Sequence, residues 1–98
     1  MSRIGILVHY KVKPGSRDAV VAAARAHIGR VKENEPGCLQ FDLLIPKDSD
    51  DDVRLFEMYK NKDAFKNHTQ MPYMTIVGEE MKPHLDDRII TICDMPDD

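Results

Sequence analysis

Apolar and polar residues alternate along RIGILVHYKVK, residues 3–13. Ile4, Ile6, Val8, Tyr10 and Val12 share one side of the strand this pattern predicts, and Gly5, Leu7, His9 and Lys11 share the other. Pro14-Gly15 ends the strand. Ser16 is placed to cap the helix that follows, and Asp18 lies in its first turn, where the helix dipole favours an acid. The period then changes. Val20, Ala24, Ile28 and Val31, with Ala23 and His27 beside them, form one stripe at helical spacing. The helix is expected to run to about Glu33, where Asn34-Glu35-Pro36-Gly37 stops it.

CLQFDLLIP alternates again, with Leu39, Phe41, Leu43 and Ile45 on one side and Gln40, Asp42 and Leu44 on the other. A polar run, KDSDDD, separates it from VRLFEMYK, so the two segments are expected to form a hairpin. Asn61 is suited to cap a short helix holding Ala64, Phe65 and His68. Pro72 starts a second helical piece, in which Tyr73, Val77 and Met81 fall at i, i+4 and i+8, and Pro83 closes it. RIITICDM is the last strand. The order is β-α-β-β-α-β with a broken second helix, an α+β ferredoxin-like arrangement whose helices cover one face of a four-stranded antiparallel sheet. The helix side is expected to hold Leu7, His9, Leu39, Phe41, Glu57 and Tyr59. The opposite face would carry Ile6, Val8, Tyr10, Phe56 and Met58, or their alternates. Either set is too apolar to face water, so a homodimer closed by sheet-to-sheet packing is expected.

Ninety-eight residues suit one domain spanning 1–98. The net charge of −3, with basic residues scattered among acids, weighs against nucleic acid as a partner. No apolar run is long enough to span a membrane, and the chain is too polar after Leu7 for a signal peptide. The two cysteines, Cys38 and Cys93, are far apart and fit free thiols in a reducing cytoplasm. The four histidines, His9, His27, His68 and His84, have no ligand spacing between them, so no metal is expected. Asp48, Asp50 and Asp52 imitate the start of a calcium loop, but Val53 and Tyr59 stand where the loop needs glycine and glutamate. No glycine-rich phosphate motif is present, so no nucleotide cofactor is signalled. Serine is too scarce and too peripheral for a serine triad.

What remains is a polar set that the strand alternation aims under the short helix. His68, Glu57 and His9 are the candidate acid–base residues. Phe41, Tyr59, Tyr73, Met74, Leu7 and Val77 are the candidate pocket walls. Each also has a plainer structural role: a single histidine on a helix face is more often a satisfied core residue, and methionines more often adaptable packing. His27 and His84 are expected at the surface or at helix ends.

EPGCLQFDLL, a polar turn, and then LFEMYKNKDAFKNHTQMPYM resemble the antibiotic biosynthesis monooxygenase domain family. The matching positions are Glu35-Pro36-Gly37-Cys38, Phe41, Glu57 with Tyr59, Ala64-Phe65, His68, and Pro72-Tyr73-Met74, and KPGSRDAV after the first strand fits as well. The resemblance implies a dimeric α/β barrel with a pocket between sheet and helices in each subunit. It implies a cofactor-independent monooxygenase that oxidises a quinol- or phenol-like molecule with O2. Other branches imply an isomerase of a small oxygenated, autoinducer-like metabolite, and a non-catalytic ligand-binding domain stands beside them. The haem-degrading branch carries Asn, Trp and His where this chain has His9, the neighbourhood of His68, and Val77, so haem is not implied.

Overall fold

The computed structural model of the protein describes residues 2–97. Strand β1 (Arg3–Val12) leads through a turn to helix α1 (Arg17–Asn34). Strands β2 (Cys38–Leu44) and β3 (Asp52–Tyr59) follow, then helices α2 (Lys62–Thr69) and α3 (Tyr73–Met81). A short 3-10 turn (Lys82–His84) delivers the chain to β4 (Leu85–Met95). The sheet order is β2-β3-β1-β4, and every neighbouring pair is antiparallel. This is the βαββαβ ferredoxin-like arrangement that the sequence pattern predicts, with the second helix split at Pro72.

Gly15 takes the left-handed turn between β1 and α1 (φ 79°), which a residue without Cβ adopts at no steric cost. Ser16 does not cap α1 through its side chain; its Oγ meets His84 Nδ1 at 3.1 Å and ties the helix start to the 3-10 turn. Asn61 does cap α2, accepting from the Ala64 N–H at 2.8 Å. His27 lies mid-helix and buried, not at a helix end or the surface, because it falls in the same stripe as Val20, Ala23, Ala24 and Val31.

The core lies between the helices and one face of the sheet. Ile4, Ile6, Val8, Tyr10 and Val12 of β1, Phe41 of β2 and Val53, Leu55 and Tyr59 of β3 are buried there. Tyr73, Val77 and Met81 of α3 close over them. Each such aliphatic side chain contributes about 1.5–3 kcal/mol by leaving water. The face assignment of β1 is therefore the reverse of the one expected. Leu7 is 50% exposed and His9 is half-buried on the far side, where His9 Nε2 meets Asp52 Oδ1 at 2.9 Å. That hydrogen bond is the main cause holding the Asp52 carboxyl below its ordinary range. Alternation groups residues by side but does not say which side the helices cover, and the more apolar set, Ile4, Ile6, Val8, Tyr10 and Val12, is the one they bury. Leu39 departs for a different reason. The register between β2 and β3 slips between Cys38 and Gln40, so Leu39 bulges out of the ladder and is 49% exposed.

Candidate functional site

The site grows from one tight contact. Glu35 ends α1, its N–H still bonded to the Val31 carbonyl, and Pro36-Gly37 turns the chain into β2. At Gly37 a Cβ would come 2.7 Å from the Ala64 Cβ, so only glycine lets α2 sit this close to the start of β2. The close approach seats His68, the buried residue of α2, directly over β3. In the sheet, pairing sets Glu57 beside Phe41 on one side and Ile6 on the other.

Two carboxylates then flank one imidazole. His68 Nδ1 lies 3.0 Å from both Glu35 oxygens, and the Tyr73 hydroxyl donates to Glu35 Oε2. On the other side His68 Nε2 is 3.6 Å from Glu57 Oε1, which accepts from the Tyr59 hydroxyl at 2.6 Å. Glu35, Glu57 and His68 are 3–5% exposed, and such burial of charge-bearing groups is tolerated only where they are paired. With Nδ1 engaged by Glu35, Nε2 is the free edge of the ring. Its distance to Glu57 exceeds hydrogen-bond length, so Nε2 keeps its bonding capacity for a group that approaches from the pocket side.

Burial pushes the Glu57 carboxyl above its ordinary range; the Tyr59 hydrogen bond and His68 oppose this, and the charge of Glu35 adds to it. The Tyr59 phenol is driven far up by burial and then by Glu57, and Tyr73 is driven up by burial and then by its bond to Glu35. Both phenols are therefore fixed neutral donors. Burial, with help from His68 and Arg30, pulls His27 down to about 4, so its imidazole is neutral at physiological pH. The Cys38 thiol, pushed up to about 11 chiefly by burial, stays protonated and is a poor nucleophile.

A pocket of about 120 Å³ opens onto this group between α2, α3 and the sheet. Ile6, Val8 and Leu55 form its floor; Phe65, Met74 and Val77 form its roof; His68, Glu57 and His27 are its polar edge. It opens past Arg88 and Ile90, both exposed on β4. The volume is close to that of a cavity holding one benzene-sized ring. A larger cleft of about 320 Å³ at the far end of α3 shares Tyr10, Val77 and Arg88 with the pocket. None of the buried acid–base side chains lines it, so the smaller pocket is the one with chemistry. Among the described residues no group of three or more His, Cys, Asp or Glu side chains is placed to hold a metal ion.

Of the residues expected from the sequence, His68, Glu57, Met74 and Val77 line the pocket. Phe41, Tyr59 and Tyr73 stand behind it: Tyr59 packs on His68 at 5.1 Å between ring centres, and Phe41 and Tyr73 surround His27 at 5.7 and 5.8 Å. His9 and Leu7 lie on the opposite face of the sheet and do not reach it. The apolar walls Ile6, Val8, Leu55 and Phe65 were not among the candidates, and two polar residues were missed. Glu35 reads in sequence as part of a helix stop, although it opens the Glu-Pro-Gly-Cys segment that carries the family resemblance. His27 had only its place in an apolar stripe to mark it as buried.

Residues 3–77 match the family model for the antibiotic biosynthesis monooxygenases. A candidate antibiotic biosynthesis monooxygenase of Caulobacter crescentus is 28% identical and superimposes with a TM-score of 0.90, over 96% of this chain and 90% of that one. A Mycobacterium tuberculosis protein superimposes with a TM-score of 0.88 over 99% and 98% of the two chains; at 23% identity this shows the fold alone. An uncharacterized Synechocystis protein is 30% identical over 63 residues, which is 64% of this chain and 42% of that protein, so the chain spans less than half the length of that curated relative. No helix among the described residues is long and apolar enough to cross a membrane. The chain, matched by the family model over most of its length, belongs to the antibiotic biosynthesis monooxygenase family.

Proposed function

We propose that the protein oxygenates a small phenol or quinol with O2, using its own side chains as the acid–base group. One observation carries this reading: His68 is anchored by Glu35 through Nδ1, has Nε2 beside Glu57, and lines a ring-sized, mostly apolar pocket together with Glu57. The substrate hydroxyl approaches His68 Nε2 from the pocket, beside Glu57, and gives its proton to Nε2. The phenolate that results is electron-rich and gives electrons to O2 directly, forming a C–O bond at a ring carbon as a peroxide anion. His68 returns its proton to that anion, and the hydroperoxide loses water as its O–O bond breaks and the hydrogen on the same ring carbon leaves, so that the carbon becomes a carbonyl. The balance is one phenol plus one O2 giving one quinone plus one water; a quinol gives a hydroxyquinone in the same way. The base contributes about 10²–10⁴-fold, the scale of positioned proton transfer, and the pocket limits access of water to the anion.

Labelled dioxygen tests the reaction. One atom of label is expected in the organic product and one in water. A rearranged product free of label would instead mark an isomerase working with the same residues. The protein is further proposed to act as a homodimer. Leu7, Leu44 and Ile89 lie exposed on the sheet face opposite the helices, where a second copy would cover them.

A further inference from the structure

His27 is 4% exposed, and its Nδ1 is sealed from solvent with no hydrogen-bond partner among the described residues. Its neighbours are rings: Phe41 meets it edge-on at 5.7 Å, Tyr73 at 5.8 Å and His68 at 5.7 Å. A phenylalanine would fill such a place without burying a polar atom. A buried polar group kept unpaired in a packed core calls for a reason.

The geometry supplies one. A neutral imidazole carries one N–H, and an orphaned buried N–H is rarer than an orphaned acceptor. The proton therefore sits on Nε2, and the sealed Nδ1 is left with only a lone pair. The ring also lines the ligand pocket, and since Nδ1 is sealed, the contact comes from the Nε2 edge.

We propose that His27 is the pocket's second polar contact, donating its Nε2–H to an oxygen on the same aromatic ring whose hydroxyl meets His68. The inference rests on the pocket being an aromatic site, and it narrows the substrate class to rings bearing two oxygens: quinols, catechols and hydroxyaryl carbonyls. Where the second oxygen is a carbonyl ortho or para to the hydroxyl, removal of the first proton by His68 spreads negative charge onto it by conjugation, and a fixed neutral donor stabilises that charge as it develops. Where it is a second hydroxyl, its oxygen accepts the same hydrogen bond, which holds the ring in one orientation while the charge spreads over ring carbons. His27 exchanges no proton; it selects and polarises.

Matched probes test this by equilibrium binding without oxygen. Catechol, resorcinol and hydroquinone are compared with o-, m- and p-cresol, each pair differing by a hydroxyl in place of a methyl group. The parent is expected to prefer at least one diol over its cresol by about tenfold, the scale of one net hydrogen bond. In His27→Phe that preference disappears while cresol binding is kept. His27→Gln, which retains a donor, keeps part of the preference, and His27→Leu replaces the Phe variant if the latter does not fold. Cresol binding with no diol preference, or a preference that survives in His27→Phe, would overturn the role of His27 alone. Failure of every ring to bind the parent would overturn the aromatic pocket and this inference with it.

Discussion

Replacing His27 with phenylalanine should flatten the acid side of the protein's stability profile. His27 titrates near 6.5 in an unfolded chain and at about 4 when buried against His68 and below Arg30. Its folded-state pKa is depressed, so the stability it contributes is fully present above pH 6.5, is lost progressively as pH falls from there, and is gone once pH has fallen through about 4. Between pH 7.5 and 4.5 the linked loss is about 2.5 kcal/mol, at about 1.4 kcal/mol per pH unit across the window. Glu57 works in the opposite sense: its raised carboxyl favours the fold at low pH and loses that contribution as pH rises through its folded-state pKa. That effect is common to both proteins and cancels in the comparison. Urea unfolding at the two pH values and one protein concentration reads the difference. The parent should lose about 2.5 kcal/mol more than His27→Phe. Equal losses would refute the claim that His27 is held neutral by burial.

Gly37→Ala should destabilise the fold by about 1–3 kcal/mol, since the new methyl meets Ala64 and must push α2 and its His68 away from β3; thermal melting checks the first effect and loss of turnover the second. Glu35→Gln keeps the shape but weakens the anchor on His68 Nδ1 and the acceptor of the Tyr73 hydroxyl, at a cost of about 1–3 kcal/mol. Glu35 does not line the ligand pocket, so kcat should fall with little change in KM, measured by steady-state kinetics. Leu7→Asp places a charge on the exposed sheet face and should convert the proposed dimer to monomers in size-exclusion chromatography with light scattering, with the helical signal in circular dichroism unchanged.

The element order was legible because each period is clean and each break has a turn residue. The stripe of Tyr73, Val77 and Met81 is buried as its spacing predicts, and Pro72 and Asn61 sit at the helix starts assigned to them. The sidedness of β1 was not legible, because a strand with apolar residues on both faces says which side chains travel together but not which set the helices choose. Leu39 shows the second limit: a bulge changes parity, and nothing in CLQF announces it. At the site, His68 and Glu57 were visible as chemistry-bearing types at inward positions. Glu35 was hidden because its local role, ending α1, explained it completely, and its contact with His68 spans 33 residues. His27 was hidden because a polar residue in an apolar stripe carries no sign of whether it is paired. His9 was misplaced by the same parity error that misplaced Leu7.

The central claim is that His68, held by Glu35 and facing the pocket, starts a reaction with O2. Oxygen consumption by metal-stripped, flavin-free protein, with a panel of single-ring quinols and phenols and His68→Ala measured beside the parent, tests it most directly. The account predicts uptake by the parent on at least one two-oxygen ring and a fall of about 10²-fold or more in the variant. Equal uptake by parent and variant would contradict it.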